Sequence, residues 1–400
     1  MGPILRMVRT EWEAMLGDDL WPIVVDGHPA AAGPATTIDT SVYTDRARHQ
    51  AELRMIRSHP LAAVHTSEVA APGDFVTCDL LGVPALIVRD AEGQLRAFRN
   101  ACVHRGSPVK TCASGSTRVL SCDFHGWSYD LDGSLRTVAH PDLFSTQPCT
   151  SSGLAELGCE ERHGIVWVTI EPPTTVHDVR TWLGEELDDL FCALELEHTV
   201  MIRSVDLQLN CNWKLLTDGF LELYHLKALH RSTIAPYFPA NLCAYRGFGP
   251  HQSVALPKNR LVREMRERPR DEWRILDGLT MPVVLMPATV IQWQAGHFEL
   301  FSLRPDPVDP TRTQCRCSLL VPAERADETE LWERNWTRLC ETVPAEDFAV
   351  AELVQRNIDA GSASSIRIGA NEHLLVEHLR AIDQLIGQAS VPVPVRHLSL

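Results

Sequence analysis

The chain has 400 residues, which is enough for two domains that each bury their own core. Its formal net charge of -15 and its pI near 5.6 argue against attraction to phosphate backbones or anionic lipid, so we expect neither a nucleic-acid nor a membrane partner. The longest apolar stretch, around Met281 to Trp293, contains prolines and is too short to span a bilayer, and the first residues do not read as a signal peptide. We therefore expect a cytoplasmic protein.

The first part of the chain reads as a helical scaffold followed by a small all-β domain. Helical patterns at Arg9 to Leu16 and Asp45 to Ser58 predict that residues 1–58 pack on a later domain. Residues 59–170 alternate short strands with turns, for example Ala85 to Arg89 followed by Leu95 to Arg99. Tyr129 to Leu135 contains Asp-Gly, which predicts a second hairpin.

Two short cysteine-histidine pairs lie in this β region. Cys102 and His104 form the first pair, Cys122 and His125 form the second, and a glycine follows each histidine. Two thiolates on one iron and two imidazoles on the other are the ligand set of a Rieske [2Fe-2S] cluster. A structural Cys2His2 zinc site fits the same residue types, although zinc fingers usually group their cysteines together and their histidines together. The pairs thus indicate a redox cluster, with zinc as the alternative.

The remaining residues, 171–400, predict an α+β domain of helices packed on one antiparallel sheet. The predicted boundary is Glu171-Pro172-Pro173. Two helices are predicted first, one at Val179 to Leu196 and one that begins at Trp213. Three strands follow, at Ala288 to Trp293, Phe298 to Arg304 and Thr313 to Val321. The end of the chain, from Glu328 to Gly387, is predicted to be helical with an interruption near Gly361 to Ser365. The whole chain is therefore predicted to be α+β, with a catalytic domain of the helix-grip type.

The segment after Trp213 carries a second group of possible metal ligands. Spacings of four and three predict that Asp218, Glu222 and His225 share one face of a helix. His230 would point roughly 140° away from His225, so joint metal binding requires a break in the helix. Taken alone, this spacing is more typical of two unrelated surface or core histidines than of a metal site.

The chain resembles the Rieske non-haem iron oxygenases, in particular the catalytic (alpha) subunits of the aromatic-ring-hydroxylating dioxygenase family. The resemblance rests on Asn100-Ala-Cys-Val-His-Arg-Gly106, on Cys122-Asp-Phe-His-Gly-Trp127 and on Glu222-x2-His225-x4-His230. It implies a cluster on the two Cys-His pairs. It also implies a mononuclear Fe(II) held by His225, His230 and a carboxylate from elsewhere in the chain.

The resemblance supplies further expected roles. Asp347, in an Asp-x4-Glu-x2-Gln segment, is the expected third iron ligand, with Glu346 as its neighbouring rival. Glu222 matches the acidic residue that bridges a cluster histidine of one subunit and an iron-bound histidine of the next, and Asp218 is a candidate partner for an iron-bound histidine. These roles imply a head-to-tail homotrimer that receives electrons from a separate reductase or ferredoxin, and NAD(P)H only indirectly.

The expected activity is hydroxylation of a small organic substrate with O2. An apolar set of residues suggests a hydrophobic or aromatic substrate, and the predicted pocket residues are Phe220, Leu221, Leu226, Leu229, Ile234, Val284, Ile291 and Trp293. The alternative is a monooxygenase of quaternary ammonium or N-methyl compounds that cleaves or demethylates at nitrogen. Glu222 resembles the carnitine-type members, and an aromatic cage would come from Trp213, Tyr224, Tyr237 and Trp293. A Rieske electron carrier with an accessory domain is the non-enzymatic hypothesis.

Overall fold

The computed structural model describes residues 3–27, 33–144, 153–171 and 178–387. The chain forms two compact units, one of Ile56–Trp182 and one of Met1–Met55 together with Leu183–Leu400. The predicted boundaries at residues 58 and 170 therefore lie near the ends of the first unit, and Pro172 and Pro173 lie outside the described residues. Within the described residues, no helix is both long enough and apolar enough to cross a membrane.

The regular secondary structure described for the unit of Ile56–Trp182 is mostly strand. Its strands are β2 (Leu61–His65), β3 (Asp74–Leu80), β4 (Val83–Arg89), β5 (Leu95–Arg99), β6 (Ser114–Ser116), β7 (Leu120–Ser121), β8 (Ser128–Tyr129), β9 (Leu135–Thr137), β10 (Glu156–Arg162) and β11 (Ile165–Thr169). A seven-stranded sheet has the order β2-β11-β10-β5-β4-β3-β6, and β7-β8-β9 form a separate three-stranded sheet. The predicted small all-β domain is confirmed.

Both predicted hairpins are present in this unit. β4 pairs antiparallel with β5, and β8 pairs antiparallel with β9. In the first turn the Asp90 carboxylate accepts the backbone N–H of Gln94 at 2.7 Å, and Gly93 has a φ of 82°. In the second turn Gly133 has a φ of 86°. Each turn needs a positive φ, which glycine adopts without steric cost.

The other unit combines helices with one large antiparallel sheet. Its helices are α1 (Pro3–Asp26), α2 (Arg46–Arg57), α3 (Val179–Leu183), α4 (Glu185–Ala193), α5 (Trp213–Leu221), α6 (Leu226–Leu229), α7 (Asn259–Glu267), α8 (Thr329–Thr342), α9 (Ala349–Asp359) and α10 (His373–Leu385), of which α2 and α3 cross the boundary between the units. Its strands are β1 (Thr36–Asp39), β12 (Thr199–Leu209), β13 (Ala244–Phe248), β14 (His251–Pro257), β15 (Leu279–Leu285), β16 (Thr289–Gln294), β17 (Phe298–Pro305), β18 (Thr313–Pro322) and β19 (Ser365–Ile368).

The sheet of this unit forms the support for the helices that carry the site. Its order is β12-β18-β17-β16-β15-β14-β13, and α5 packs on β14, β15 and β17. Phe301 of β17 is fully buried, and its ring centroid lies 4.9 Å from that of Phe220 in α5 and 6.2 Å from that of Phe348. The predicted catalytic architecture of helices on an antiparallel sheet is confirmed.

Several predicted helices differ in their extent. The helix predicted at Val179 to Leu196 is two short helices that are separated at Gly184, where φ is 79°. The first helix is longer than predicted and spans Pro3–Asp26. The helical end of the chain is divided by a π-helix at Val343–Phe348 and by β19, which pairs with β1. Pairing with a strand more than 300 residues away is a tertiary contact, and local periodicity cannot predict it.

Candidate metal centres

The two Cys-His pairs form two loops of the same construction. The N–H of Gly106 donates to the carbonyl of Cys102 at 2.8 Å, and the N–H of Gly126 donates to the carbonyl of Cys122 at 3.0 Å. The two glycines have φ values of 75° and 72°, a conformation in which other residues are strained. The glycine after each histidine therefore closes a turn that brings the Cys and His of one loop together.

The four side chains suit an iron-sulfur cluster. Cys102 and Cys122 are 4% and 2% exposed, and the imidazole centroids of His104 and His125 are 4.5 Å apart. Nδ1 of His104 is buried without a hydrogen-bond partner among the described residues, as expected for a nitrogen that binds metal. Burial, followed by the positive charges of neighbouring side chains, lowers the pKa of His104, which favours the neutral imidazole that metal binding requires.

Tyr129 supports one of the cluster thiols. Its hydroxyl oxygen accepts the backbone N–H of Val103 at 3.1 Å and lies 3.0 Å from Sγ of Cys102. Since the oxygen already accepts from Val103, its proton is available for the sulfur. Hydrogen bonds to cluster sulfurs raise the reduction potential of the cluster. The indole of Trp127 stacks on His104 with a centroid distance of 4.8 Å.

The second candidate centre begins where α5 ends. Asn212 caps α5 by accepting the N–H of Lys214 at 3.0 Å, and the helix stops at Leu221. Glu222 has an extended backbone with φ −137° and ψ 157°. The prediction that Asp218, Glu222 and His225 share one helical face is therefore wrong, because the backbone leaves the helix between the first and the third of these residues.

Both histidines of this segment are oriented by carboxylates. Glu222 accepts the backbone N–H groups of Tyr224 and His225 with one oxygen and contacts Nδ1 of His225 with the other. Nδ1 of His230 lies 2.6 Å from Oε2 of Glu346, which also accepts the Thr233 hydroxyl at 2.7 Å. An ionised carboxylate can only accept, so each Nδ1 donates its proton to its glutamate, and each Nε2 would present its lone pair when a metal ion is bound.

The two Nε2 atoms converge on one carboxylate. Oδ1 of Asp347 lies 3.4 Å from Nε2 of His225 and 3.1 Å from Nε2 of His230. Among the described residues, these three form a group whose potential ligand atoms all lie within 4.8 Å of one another. Two imidazoles and one carboxylate on one side of a metal are the ligand set of non-haem Fe(II) oxygenases.

The charges around these histidines also suit a cation. Burial lowers the pKa of His225, but the hydrogen bond and charge of Glu222 and the charge of Asp347 outweigh it, so that the pKa is raised. For His230 burial is likewise opposed, first by Asp347 and then by Glu346, and its pKa is also raised. Three carboxylates around two imidazoles thus give an excess of negative charge that a divalent ion would neutralise.

The π-helix and the helix after it position Asp347. The second residue of the wider turn at Val343–Phe348 is Pro344, which has no N–H to donate, and turns of this kind recur at functional sites. One helical turn farther on, Glu352 accepts the backbone N–H of Asn210 at 2.7 Å, and Gln355 accepts that of Asn212 at 2.9 Å. The Asp-x4-Glu-x2-Gln segment therefore ties α9 to the residues that precede and cap α5.

Asp218 occupies a different position from the one expected. Its Oδ2 accepts the Tyr43 hydroxyl at 2.8 Å, so its hydrogen-bond partner is not a histidine of the centre. Burial raises the pKa of Asp218 to about 7, against the lowering effects of Tyr43 and of Lys214. Lys214 in turn forms a fully buried ion pair with Glu52 of α2 at 2.6 Å. Asp218 belongs to this buried network.

A cavity of about 500 Å³ opens beside His225, His230 and Asp347. Three of the predicted pocket residues line it, namely Phe220, Leu226 and Ile234. The predicted residues that do not line it are Leu221, Leu229, Val284, Ile291 and Trp293. These five were chosen for their apolar character, which also describes ordinary core residues, and Trp293 instead donates to the Leu276 carbonyl at 2.8 Å.

The predicted aromatic cage is not formed. Trp213 is 1% exposed and donates towards Glu52, Tyr224 is 67% exposed, and neither lines the cavity. Tyr237 does line it, and the Arg338 guanidinium lies 5.5 Å from its ring centroid. Of the four predicted cage residues, the cavity therefore includes one, whose ring is already in contact with a cation.

Sequence reasoning missed part of the site. Glu346 was predicted only as a rival of Asp347, whereas it contacts Nδ1 of His230. Two adjacent acidic residues gave no signal of which one would contact that nitrogen. Lys258, Gln292, His297 and Glu299 also line the cavity. A polar pattern on the inner face of a predicted strand could have indicated Gln292 and Glu299.

Comparison with known families assigns both regions of the chain. Residues 59–148 match the model of the Rieske [2Fe-2S] domain, and residues 196–388 match that of the ring hydroxylating alpha subunit (catalytic domain). The oxygenase subunit of carnitine monooxygenase from Acinetobacter pittii is 31% identical over 171 residues. The match spans 42% of this chain and 46% of that relative, so the chain covers about half the length of the relative.

Solved structures show the same fold over most of the chain. A quaternary ammonium Rieske monooxygenase superposes with a TM-score of 0.74 at 21% identity, covering 88% of this chain and 96% of that one. Naphthalene 1,2-dioxygenase from Rhodococcus sp. superposes with a TM-score of 0.72 at 18% identity, covering 95% and 99%. The fold is therefore shared by enzymes with very different substrates.

Proposed function

Because the chain belongs to the Rieske oxygenases, with a Rieske [2Fe-2S] domain and a ring-hydroxylating catalytic domain, we propose that it is the oxygenase component of such an enzyme. The observation that carries this proposal is the convergence of the Nε2 atoms of His225 and His230 on Oδ1 of Asp347. A ferrous ion bound in this way would keep open positions for O2 beside the cavity. We expect incorporation of oxygen into a small organic molecule.

Each group of residues has a defined role in this proposal. Cys102 and Cys122 would bind one iron of the cluster, and His104 and His125 the other. His225, His230 and Asp347 would hold the single iron, with the first histidine oriented by Glu222 and the second by Glu346. The apolar side chains of α5 and α6 would exclude water from the reacting substrate.

Electron supply involves other molecules. Glu222 lies against His225, and we propose that its carboxylate bridges to a cluster histidine of a neighbouring subunit. Such a bridge requires a head-to-tail arrangement, for which a closed homotrimer is the simplest assembly. A separate reductase or ferredoxin would reduce the cluster. The cytoplasmic location remains a prediction.

For the substrate, the relatives favour the nitrogen-containing alternative over an aromatic hydrocarbon. The carnitine relative and the quaternary ammonium structural neighbour are both named for N-methylated cations. The cavity supports the same choice, because one of its walls, formed by the sheet, is polar. We therefore propose a monooxygenase acting on an N-methyl or quaternary ammonium compound, with C–N cleavage or demethylation as the outcome.

The metal assignment predicts separate loss of the two centres. His225→Ala and His230→Ala should each lower the iron content from about three to about two atoms per chain while the visible spectrum of the cluster remains. Cys102→Ser should abolish that spectrum. Iron analysis and visible absorption of the purified proteins measure both effects.

A matched control is the exposed His198, for which His198→Ala should change neither value. Loss of the cluster spectrum in His225→Ala would contradict the assignment. Wild-type protein that binds only the two cluster irons would indicate an electron carrier instead of an oxygenase.

A further inference from the structure

Glu299 and Lys258 carry opposite charges and both line the cavity, and among the described residues neither forms a salt bridge with an Asp, Glu, Lys or Arg side chain. Glu299 of β17 is 5% exposed, and Lys258 follows directly after β14. Among the described residues, no lysine or arginine lies within salt-bridge distance of Glu299, and no carboxylate within that distance of Lys258. A buried charge that the protein leaves uncompensated is costly unless a ligand compensates it.

The surroundings of Glu299 hold its carboxylate in place and leave one oxygen available. Gln292 is its cross-strand neighbour and donates Nε2–H to Oε2 at 2.6 Å. The other oxygen, Oε1, is 3.8 Å from Nε2 of His297, which is buried without a hydrogen-bond partner among the described residues. Glu299 is therefore fixed by one amide and presents a free acceptor to the cavity.

Lys258 presents the opposite charge to the same space. Burial lowers its pKa, while the charge of Glu299 acts in the other direction, so the two groups are near enough to interact. They nevertheless lie beyond salt-bridge distance of each other. A gap between two unlike charges in one cavity is complementary to a molecule that carries both charges.

Among the other charged residues of the lining, Arg325 and Asp277 are neutralised by salt bridges, whereas Arg260 donates to the backbone carbonyl of Asp277 and Arg338 lies over the ring of Tyr237. Arg325 donates to Glu328 at 2.6 Å, and Asp277 accepts from Arg9 at 2.9 Å. Neither pair needs a ligand. Only Tyr237 remains from the predicted cage, and the other aromatic rings of the lining, Phe220, Phe238 and Trp332, carry no net charge, so neutralisation of a substrate cation falls to a carboxylate.

We propose that the cavity recognises a zwitterion, with Lys258 binding its anionic group and Glu299 its cationic group. The inference rests on the proposed function and goes beyond it, because it assigns two specificity residues and excludes substrates that carry only the cation. It concerns binding, so its test needs no turnover and is separate from the iron analysis above.

The test uses four probes that differ in charge. Glycine betaine and L-carnitine carry both charges, choline carries only the cation, and 3,3-dimethylbutanoate carries only the anion. Anaerobic calorimetric titration of the iron-loaded protein should show that at least one zwitterion binds at least about tenfold more tightly than either singly charged probe, since each charged contact contributes on the order of a factor of ten.

The variants should divide this preference into two parts. Lys258→Met should weaken zwitterion and 3,3-dimethylbutanoate binding about tenfold and leave choline unchanged, whereas Lys258→Arg should keep the preference for an anion. Glu299→Gln should weaken zwitterion and choline binding and leave 3,3-dimethylbutanoate unchanged. Arg203→Gln and Glu333→Gln, which alter an exposed ion pair outside the lining, should change neither preference.

Two results would overturn the proposal. One is that choline binds as tightly as both zwitterions, or that neither zwitterion binds at all. The other is that Lys258→Met and Glu299→Gln weaken all four probes by the same factor, as a purely structural role would do. If His225→Ala loses its single iron but the wild-type protein binds the four probes with equal affinity, the proposed function stands and the zwitterion proposal fails.

Discussion

At the scale of single residues, the defining feature is that each histidine of the candidate iron site has its own glutamate. Glu222 holds Nδ1 of His225, and Glu346 holds Nδ1 of His230. Such partners fix the tautomer and the orientation of the ring, and they make the opposite nitrogen a better ligand. Since the two Nε2 atoms share Asp347 as their neighbour, a small rotation of either imidazole would move its Nε2 away from the other two candidate ligand atoms.

This arrangement predicts that Glu346 controls iron affinity without touching the metal. Glu346→Gln keeps a hydrogen-bond acceptor but removes the charge, and Glu346→Ala removes both, so the affinity for the single iron should fall by about tenfold and by up to about a hundredfold, respectively. Competition with a ferrous chelator measures the affinity. Glu341→Gln on the same segment is exposed and serves as the control. Equal affinities in all variants would show that His230 does not depend on Glu346.

At the scale of elements, a buried ionic network joins three helices. Lys214 of α5 pairs with Glu52 of α2, and Arg48 of α2 pairs with Asp383 of α10 at 2.7 Å. The fully buried His378 of α10 lies near this network, where burial and then the charge of Lys214 lower its pKa to about 3. Asp218 of α5 is buried in the same region with its pKa raised to about 7.

These two groups should give opposite pH dependences of stability. His378 is neutral when folded and has an ordinary pKa near 6.5 when unfolded, so its contribution to stability is lost as the pH falls from 6.5 towards 3. Asp218 is protonated when folded and has an unfolded pKa near 3.8, so its contribution is lost as the pH rises from 3.8 through 7. In the window from about pH 4.5 to 6.5 the two slopes oppose each other.

When either group is removed, the pH dependence of the free energy of unfolding should be the one that the other group causes. In Asp218→Asn the free energy of unfolding should rise with pH more steeply than in wild type, and in His378→Gln it should fall, each by on the order of 1 kcal/mol per pH unit. Urea unfolding followed by tryptophan fluorescence at several pH values measures this. If the free energy of unfolding depends on pH in both variants as it does in wild type, neither group titrates as described.

At the scale of the whole molecule, the proposed electron route passes between chains. A chain with Cys102→Ser keeps its single iron site but lacks a cluster, and a chain with His225→Ala keeps the cluster but lacks the iron. If the cluster of one subunit serves the iron of the next, mixed oligomers contain intact pairs that neither variant has alone.

Coexpression of these two chains with different tags should therefore restore activity. Random mixing leaves about a quarter of the interfaces intact, so oxygen-dependent reoxidation of the chemically reduced cluster should recover to about a quarter of the wild-type rate. Coexpression of Cys102→Ser with Cys122→Ser provides the control, which should remain inactive. Inactive mixed oligomers, verified by both tags, would show that electrons do not cross between chains.

The sequence by itself determined the classes of chemistry and the two-part fold. Two Cys-His pairs, each followed by glycine, indicate a cluster because ligand type and turn chemistry are local properties. The β hairpins followed from Asp-Gly and Gly turns for the same reason. Periodicity also gave three of the seven strands of the large sheet, β16, β17 and β18, to within about one residue at each end, whereas β12 to β15 were not predicted.

Only the tertiary structure decided how the remote parts meet. The π-helix that places Glu346 against His230 and Asp347 against both histidines, and the cavity wall with Lys258 and Glu299, depend on contacts between distant segments. Apolar character could not separate lining residues such as Phe220 from core residues such as Leu221, because burial against the protein and burial against a ligand require the same side chains. Local sequence thus specifies which ligands are available, and long-range packing specifies which of them share a site.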